Sequence, residues 1–318
     1  MNRIGRTELD VFPLCLGGNV FGWTADEAAS FAVLDAYVDA GGNFIDTADS
    51  YSEWAEGNAG GESETIIGRW VAHRGRRDDL VIATKVGQAP GREGLAPANI
   101  RASAEASLGR LGVEQIDLYY AHEDDPATPL EATIAAFDEL VRAGKVRYVA
   151  ASNYTAPRLA DALAAAKRTG HAPYVALQAH YNLVHRAEYE GDLAALCEAE
   201  SISCIAYSAL ADGFLTGKYR PGRELPASER AEDAAVYLTE HGTSVLTALD
   251  TVAAGRGVPV AAVALAWLIA RPTVAAAVAS ARTPEQLADL AQAVHLHLSQ
   301  DDLGVLEAAS APAGDAVP

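Results

Sequence analysis

Eight short runs of apolar and β-branched residues recur along this chain of 318 residues, with stretches of helical character between them. The runs cover residues 13–17, 43–46, 80–85, 116–122, 146–152, 174–178, 202–208 and 274–279. Apolar side chains at successive positions mark strands covered on both faces, as parallel sheets require. Helical stretches at 26–40, 62–73, 97–110, 129–143 and 156–169 each close near a glycine, the residue that most readily supplies a left-handed helix cap. A sixth stretch, 188–200, leads straight into the seventh strand. Strand plus helix takes about 30 residues, the length of a βα unit.

Eight parallel strands joined by right-handed crossovers close most naturally into a barrel, and a doubly wound open sheet is the competing arrangement. The glycines after the first strand, in Leu16-Gly17-Gly18-Asn19-Val20-Phe21-Gly22, lack the spacing of the dinucleotide fingerprint that an open nucleotide-binding sheet carries there. The expectation is therefore an α/β chain forming one (β/α)8 TIM barrel over residues 1–310, with a flexible C-terminal tail at 311–318. Two interruptions, the glycine-rich 52–61 with Trp54 and 211–235 with Pro221, Gly222 and Pro226, are long loops, which in compact domains commonly carry function.

Composition excludes some functions. A formal net charge of −19 disfavours nucleic acid and anionic membranes, which reward clustered Lys and Arg. The densest cationic cluster, Arg74-Gly75-Arg76-Arg77, falls at a helix end, where cations suit the dipole. No run reaches the roughly 18 apolar residues of a membrane span. Cys15, Cys197 and Cys204 lie in apolar runs and are odd in number, which points to free thiols and a cytoplasmic setting. His295 and His297 alternate near the C-terminus without carboxylate or cysteine company, so no metal is expected.

Strand ends in a barrel converge on one mouth, and here they are polar. Asp46, Lys85, His122, Ser152 with Asn153, and Gln178 close strands two to six, and Tyr51 stands just past the second. Singly, each has a structural explanation, such as a cap or a hydrogen-bonded core group. Together, four titratable groups on adjacent strand ends are costly to bury unless they pair and serve a reaction. A lysine beside a phenol is expected to lower its pKa, and a carboxylate to hold that lysine in place.

The ordered motifs Phe44-Ile45-Asp46-Thr47-Ala48-Asp49-Ser50-Tyr51, Ala83-Thr84-Lys85-Val86-Gly87, Asp117-Leu118-Tyr119-Tyr120-Ala121-His122, Gly144-Lys145-Val146-Arg147-Tyr148, Leu177-Gln178-Ala179-His180-Tyr181-Asn182 and Leu215-Thr216-Gly217-Lys218-Tyr219 resemble those of the aldo-keto reductases. The likeness runs from Leu14 to about Leu290. It implies a catalytic tetrad of Asp46, Tyr51, Lys85 and His122, with Tyr51 donating the proton while a nicotinamide gives hydride to a carbonyl carbon. It places the carboxamide at Ser152, Asn153 and Gln178 and the nicotinamide ring on Tyr207. The pyrophosphate falls at Ser208, Ala209, Leu210 and Lys218, with Arg230 a further contact and Gly18, Asn19 and Asp46 beneath. Ser280, Arg282 and Gln286 fall at the adenosine end, where the family commonly has Gly or Lys for Ser280 and Asn for Leu290. Arg282 suits a 2′-phosphate, so NADP(H) is favoured over NAD(H).

Trp23 and Trp54, with Tyr51 and His122, are expected to wall the pocket of a small carbonyl substrate. His180 and His185 fall near the same mouth without an assigned role. Two further readings keep the barrel. One is a cofactor-sensing regulatory subunit, since the resemblance extends to potassium-channel β subunits. The other is an aldolase using Lys85 as a Schiff-base nucleophile.

Overall fold

The computed structural model describes residues 1–312, and of the tail expected at 311–318 residues 313–318 lie outside the described residues. The chain opens with a hairpin, β1 (Asn2–Arg3) and β2 (Asp10–Val11). Eight parallel strands follow: β3 (Leu14–Gly17), β4 (Phe44–Asp46), β5 (Val81–Val86), β8 (Ile116–Ala121), β9 (Val146–Ser152), β10 (Tyr174–His180), β11 (Ser203–Tyr207) and β12 (Val274–Ala279). They pair in chain order, and β12 pairs with β3 to close the barrel. Between β5 and β8 lies a short hairpin of β6 (Gln88–Ala89) and β7 (Arg92–Glu93). All eight expected strands are present, with ends displaced by at most two residues, within the usual uncertainty of strand and helix ends.

Six helices alternate with the first strands: α1 (Glu27–Asp39), α2 (Glu62–Arg74), α3 (Pro97–Leu111), α4 (Leu130–Arg142), α5 (Ala156–Thr169) and α6 (Asp192–Glu200). The first of them starts where Asp26 caps it, its side chain accepting from the N–H of Ala29. The sixth starts later than the sequence suggests because Gly191, at φ +102°, cannot belong to a helix. Beyond β11 come a 3-10 stretch at Ala211–Thr216, α7 (Ala231–Ala235), α8 (Glu240–Arg256) and α9 (Val260–Ile269), then β12, α10 (Pro284–Ala291) and α11 (Gln300–Ser310). Eight of the ten residues of α9 are buried, so it runs between barrel and outer helices without a polar face. Among the described residues no single helix is long and apolar enough to cross a membrane; α8 and α9 pass that test only as a pair bent by 98°.

The core has two layers. Inside the barrel Cys15, Phe44, Val81, Ala83, Leu118, Tyr120, Ala150, Ala176, Ile205 and Ala276 pack together with Ile4, Leu9 and Val11 of the first hairpin, which plugs the bottom. The larger layer lies between barrel and helices. Asn43 fastens the plug: its Oδ1 accepts from the N–H of Phe12 at 2.8 Å and its Nδ2 donates to the Asp10 carbonyl at 2.9 Å. With the bottom closed, the strand C-termini are the open end.

Candidate active site

Alternation along each strand decides which side chains reach the open end. Phe44, Ala83, Tyr120, Ala150, Ala176 and Ile205 all point into the barrel. Side chains repeat their facing every second residue, so the next inward positions are Asp46, Lys85, His122, Ser152, Gln178 and Tyr207. The structure thus brings six of the predicted residues onto one ring.

Lys85 is the hub. It is fully buried, and its Nζ donates to Asp46 Oδ2 at 2.6 Å, to the Thr47 carbonyl at 2.8 Å and to the Tyr51 hydroxyl at 2.8 Å. Those three bonds use every proton of the ammonium. Asp46 is equally buried and also accepts from Gln178 Nε2 at 2.8 Å, through Oδ1. Tyr51 reaches this cluster because the chain beyond Asp46 stays paired to β5, through Thr47 N–H to the Ala83 carbonyl and Asp49 N–H to the Lys85 carbonyl, before turning up.

The electrostatics of the phenol differ from the sequence expectation. Burial first, and then the charge of Asp46, push Tyr51 well above its ordinary value of 10 rather than below it. Lys85 therefore meets a phenol that holds its proton. Burial, helped by the charge of Lys85, pushes His122 well below its ordinary 6.5, so its imidazole is neutral at ordinary pH. Its ring centroid lies 6.1 Å from that of Tyr51, and its buried Nδ1 has no hydrogen-bond partner among the described residues.

From Tyr51 a cleft of about 710 Å³ runs past Trp23 and Trp54, along 207–213 and on to Ser280, Arg282 and Gln286. Trp23 and Trp54 meet edge to face at 5.6 Å, and Trp54 is 47% exposed. Asn19, Tyr207, Ser208, Ala209, Leu210, Lys218 and Arg230 line the same cleft. Gly18 stands just behind this wall: Gly17 lines it instead, while Gly18 gives its N–H to the Asp46 carbonyl and takes a bond from Ser63. A Cβ at Gly18 would lie 2.7 Å from Ser63 Oγ and 3.2 Å from the Asp46 carbonyl oxygen, so a larger residue would disturb the bond that Ser63 makes here. Ser152 and Gln178 sit deeper, and Asn153 joins them to Tyr207, whose hydroxyl donates to Asn153 Oδ1 at 2.8 Å.

The sequence profile of the Aldo/keto reductase family matches residues 13–311. The chain belongs to the aldo/keto reductase family. It is 35% identical over 312 residues to an uncharacterized oxidoreductase, YrpG, of Bacillus subtilis, covering 95% of this chain and 93% of that protein. It is 32% identical to norsolorinic acid reductase B of Aspergillus parasiticus, over 93% of this chain and 80% of the relative. A probable voltage-gated potassium channel subunit beta of rice, Oryza sativa subsp. japonica, is 31% identical, over 90% of this chain and 88% of the relative. Family membership makes the protein an NAD(P)H-dependent oxidoreductase.

The cleft of this aldo-keto reductase suits an anionic dinucleotide. Ser208, Ala211 and Asp212 all take left-handed backbone (φ +47°, +48° and +55°), a curl of the kind that gathers N–H groups into an anion cradle. The N–H groups of Ala209 and Leu210 meet no protein acceptor among the described residues. Neither Lys218, Arg230 nor Arg282 forms an ion pair with a carboxylate of the described residues, although Asp212, Glu229, Asp233 and Asp289 also line the cleft. Arg230 instead lies over the Trp23 ring at 5.4 Å. In a protein of net charge −19, three cations left without carboxylate partners in one cleft fit a phosphate-bearing cofactor.

Several features of the site were not anticipated from sequence. The resemblance puts Gln178 at the carboxamide, and in the structure its side-chain NH₂ is bonded to Asp46. Tyr207 stacks on His180 at 5.2 Å, and His180 on His185 at 3.8 Å, so the Tyr207 ring that lines the cleft is backed by two imidazoles. Of the six non-glycine residues with positive φ among the described residues, five, namely Ser52, Asn153, Ser208, Ala211 and Asp212, border the mouth, where strained backbone tends to collect. Serine and asparagine spaced this way gave no signal of it.

Proposed function

We propose that this aldo-keto reductase reduces an aldehyde or ketone to the alcohol with NADPH, Tyr51 supplying the proton. The observation that carries this reading is the ammonium of Lys85 held at 2.8 Å from the Tyr51 hydroxyl and 2.6 Å from Asp46. The bound nicotinamide would supply a hydride to the carbonyl carbon. Tyr51 keeps its proton until a carbonyl oxygen arrives, because burial and Asp46 disfavour the phenolate. As the proton leaves, Lys85 stabilises the charge left on the phenol oxygen, and Asp46 with the Thr47 carbonyl keeps Lys85 there. His122, neutral, orients the carbonyl beside Tyr51.

On this reading Asn153, with Ser152 and Gln178 below it, orients the carboxamide, and Tyr207 presents its ring to the nicotinamide. Ser208, Ala209, Leu210, Lys218 and Arg230 take the pyrophosphate, while Ser280, Arg282 and Gln286 take the adenosine end. Arg282 favours the 2′-phosphate. Trp23 and Trp54 exclude water from the reacting carbonyl. Three buried free thiols, Cys15, Cys197 and Cys204, support a reducing, cytoplasmic setting.

The channel-subunit relative suggests a second reading, in which the same cleft senses cofactor without turnover. The complete Lys85 hydrogen-bond set favours the enzyme. It also weighs against an aldolase, because a Schiff-base lysine needs a free amine and all three Nζ protons are engaged. The deciding experiment is an NADPH-oxidation screen over small aldehydes, quinones, sugars and steroids. Carbonyl-dependent oxidation supports the reductase, and NADPH binding without turnover of any carbonyl favours the sensor.

A further inference from the structure

The turn that carries Tyr51 contains a second acid for which the reaction above has no use. Asp49 is 3% exposed, yet neither carboxyl oxygen has a hydrogen-bond partner among the described residues. Its backbone has a bonded partner on one side and a close neighbour on the other. The N–H donates to the Lys85 carbonyl at 3.2 Å, and the Asp49 carbonyl lies so close to Gly60 (φ +93°) that a Cβ there would approach it to 2.9 Å.

The groups around it come from every neighbouring element. From α2, the buried Glu64 accepts from Thr84 Oγ1 and from Arg110 Nε, each at 2.6 Å. From β8, Tyr119 points its buried hydroxyl into the same region, also without a partner. Glu53, on the same loop, has a buried Oε2 that nothing meets. Glu64 and Glu53 oppose a negative charge on Asp49, whereas Arg110 of α3 and Lys85 of β5 favour one. Burial is the largest influence, and it pushes the carboxyl up to about 7. An ion at this place would have no donor and a carboxylate neighbour; the neutral acid avoids the repulsion and the far larger cost of an unpaired buried charge.

We propose that Asp49 is a positioning residue for the Tyr51–Lys85 pair that works as the neutral acid, so that loss of its proton, rather than of the proton on Tyr51, ends turnover on the alkaline side. Once ionised, the carboxyl is relieved by moving toward water. Its N–H is tied to the Lys85 backbone and Tyr51 lies two residues on, so that movement displaces the acid and the lysine together. A negative charge near Lys85 also weakens what the ammonium offers the phenolate. The inference rests on the reductase reading.

Two measurements test it on the full chain. The first is kcat against pH from 5.5 to 9, with NADPH and a carbonyl found by the screen. In the wild type kcat falls about tenfold per pH unit above a limit near 7. Asp49→Asn is active at pH 6 and flat within about twofold through that range. The second is [13Cζ]tyrosine NMR of the cofactor-free protein, in which the Tyr51 resonance is identified by its loss in Tyr51→Phe. That resonance titrates with the same midpoint in the wild type and stays still in Asp49→Asn. If Asp49→Asn does not fold, Glu64→Gln decides: removing the neighbouring carboxylate makes Asp49 easier to ionise, so both midpoints move toward acid. An unchanged alkaline limb and an unchanged Tyr51 titration in Asp49→Asn overturn the proposal. Absence of carbonyl turnover by the wild type at pH 6 overturns the reductase reading instead, and the NMR titration then decides the positioning role by itself.

Discussion

Lys85 Nζ lies 2.6 Å from Asp46 Oδ2 with the two side chains 0% and 1% exposed. Two charges so placed persist only because their remaining hydrogen-bonding groups are met: Lys85 by Thr47 and Tyr51, Asp46 by Gln178. Removing one partner alone strands a buried charge. Asp46→Ala should lose ~3–5 kcal/mol of stability in urea denaturation as well as turnover. The double variant Asp46→Leu/Lys85→Met should regain much of the stability and none of the activity, which separates folding from chemistry. A double variant no more stable than Asp46→Ala would contradict the argument.

The raised carboxyl of Asp49 also predicts a stability slope. Unfolded, it ionises near 3.8; folded, near 7. Between those values the folded protein holds a proton the unfolded chain has lost, so the contribution is fully present below 3.8 and disappears as pH rises through 7. The gap corresponds to ~4 kcal/mol at most. Asp49→Asn has no such slope, and its Tm relative to the wild type should climb from pH 5 to pH 8. His122 and His180, both held below their ordinary value by burial, slope the other way but equally in both proteins, and so cancel in the difference.

Arg186 fastens the loop after β10 to the C-terminal helix. Its side chain is 9% exposed and donates to both carboxylate oxygens of Glu190, to Glu307 and to Ser310, while its guanidinium lies 5.2 Å from the Trp267 ring centre. Arg186→Ala should cost ~3 kcal/mol in denaturation experiments. Arg186→Lys should recover little of it, because an ammonium cannot reproduce the planar fork. NADPH affinity should be unaffected, as the clamp lies off the cleft.

At the adenosine end, Arg282→Ala removes a cation that pairs with no carboxylate of the described residues. Loss of one charged hydrogen bond to a phosphate is worth roughly 1.5–3 kcal/mol, so KM for NADPH should rise about 10- to 100-fold. KM for NADH should stay within about twofold. An unchanged preference would remove Arg282 from the account of the 2′-phosphate.

Much of this was legible in the sequence because the barrel writes itself twice. Strands covered on both faces leave unbroken apolar runs, and in strands two to six the polar residue that ends the run is the one that reaches the mouth. Asp46, Lys85 and His122 were readable for that reason. What escaped had no local signature. Val260–Ile269 is apolar on every side, so it shows no helical period, and the α8 before it was missed with it. The bond from Gln178 to Asp46 spans 132 residues of chain. The direction in which the Tyr51 phenol shifts depends on burial by loops rather than on its lysine neighbour. Asp49 reads in sequence as an ordinary turn residue, and only α2, α3 and β8 together enclose it.

The central claim is that Tyr51 delivers the proton and does not hold the cofactor. The direct measurement is Tyr51→Phe assayed two ways on one preparation: steady-state NADPH oxidation with a carbonyl substrate, and NADPH binding by protein fluorescence. In Tyr51→Phe kcat should be lower by about 10²- to 10⁴-fold, with Kd for NADPH within about twofold of the wild type. Turnover that survives the change, or NADPH binding lost with the hydroxyl, would contradict it.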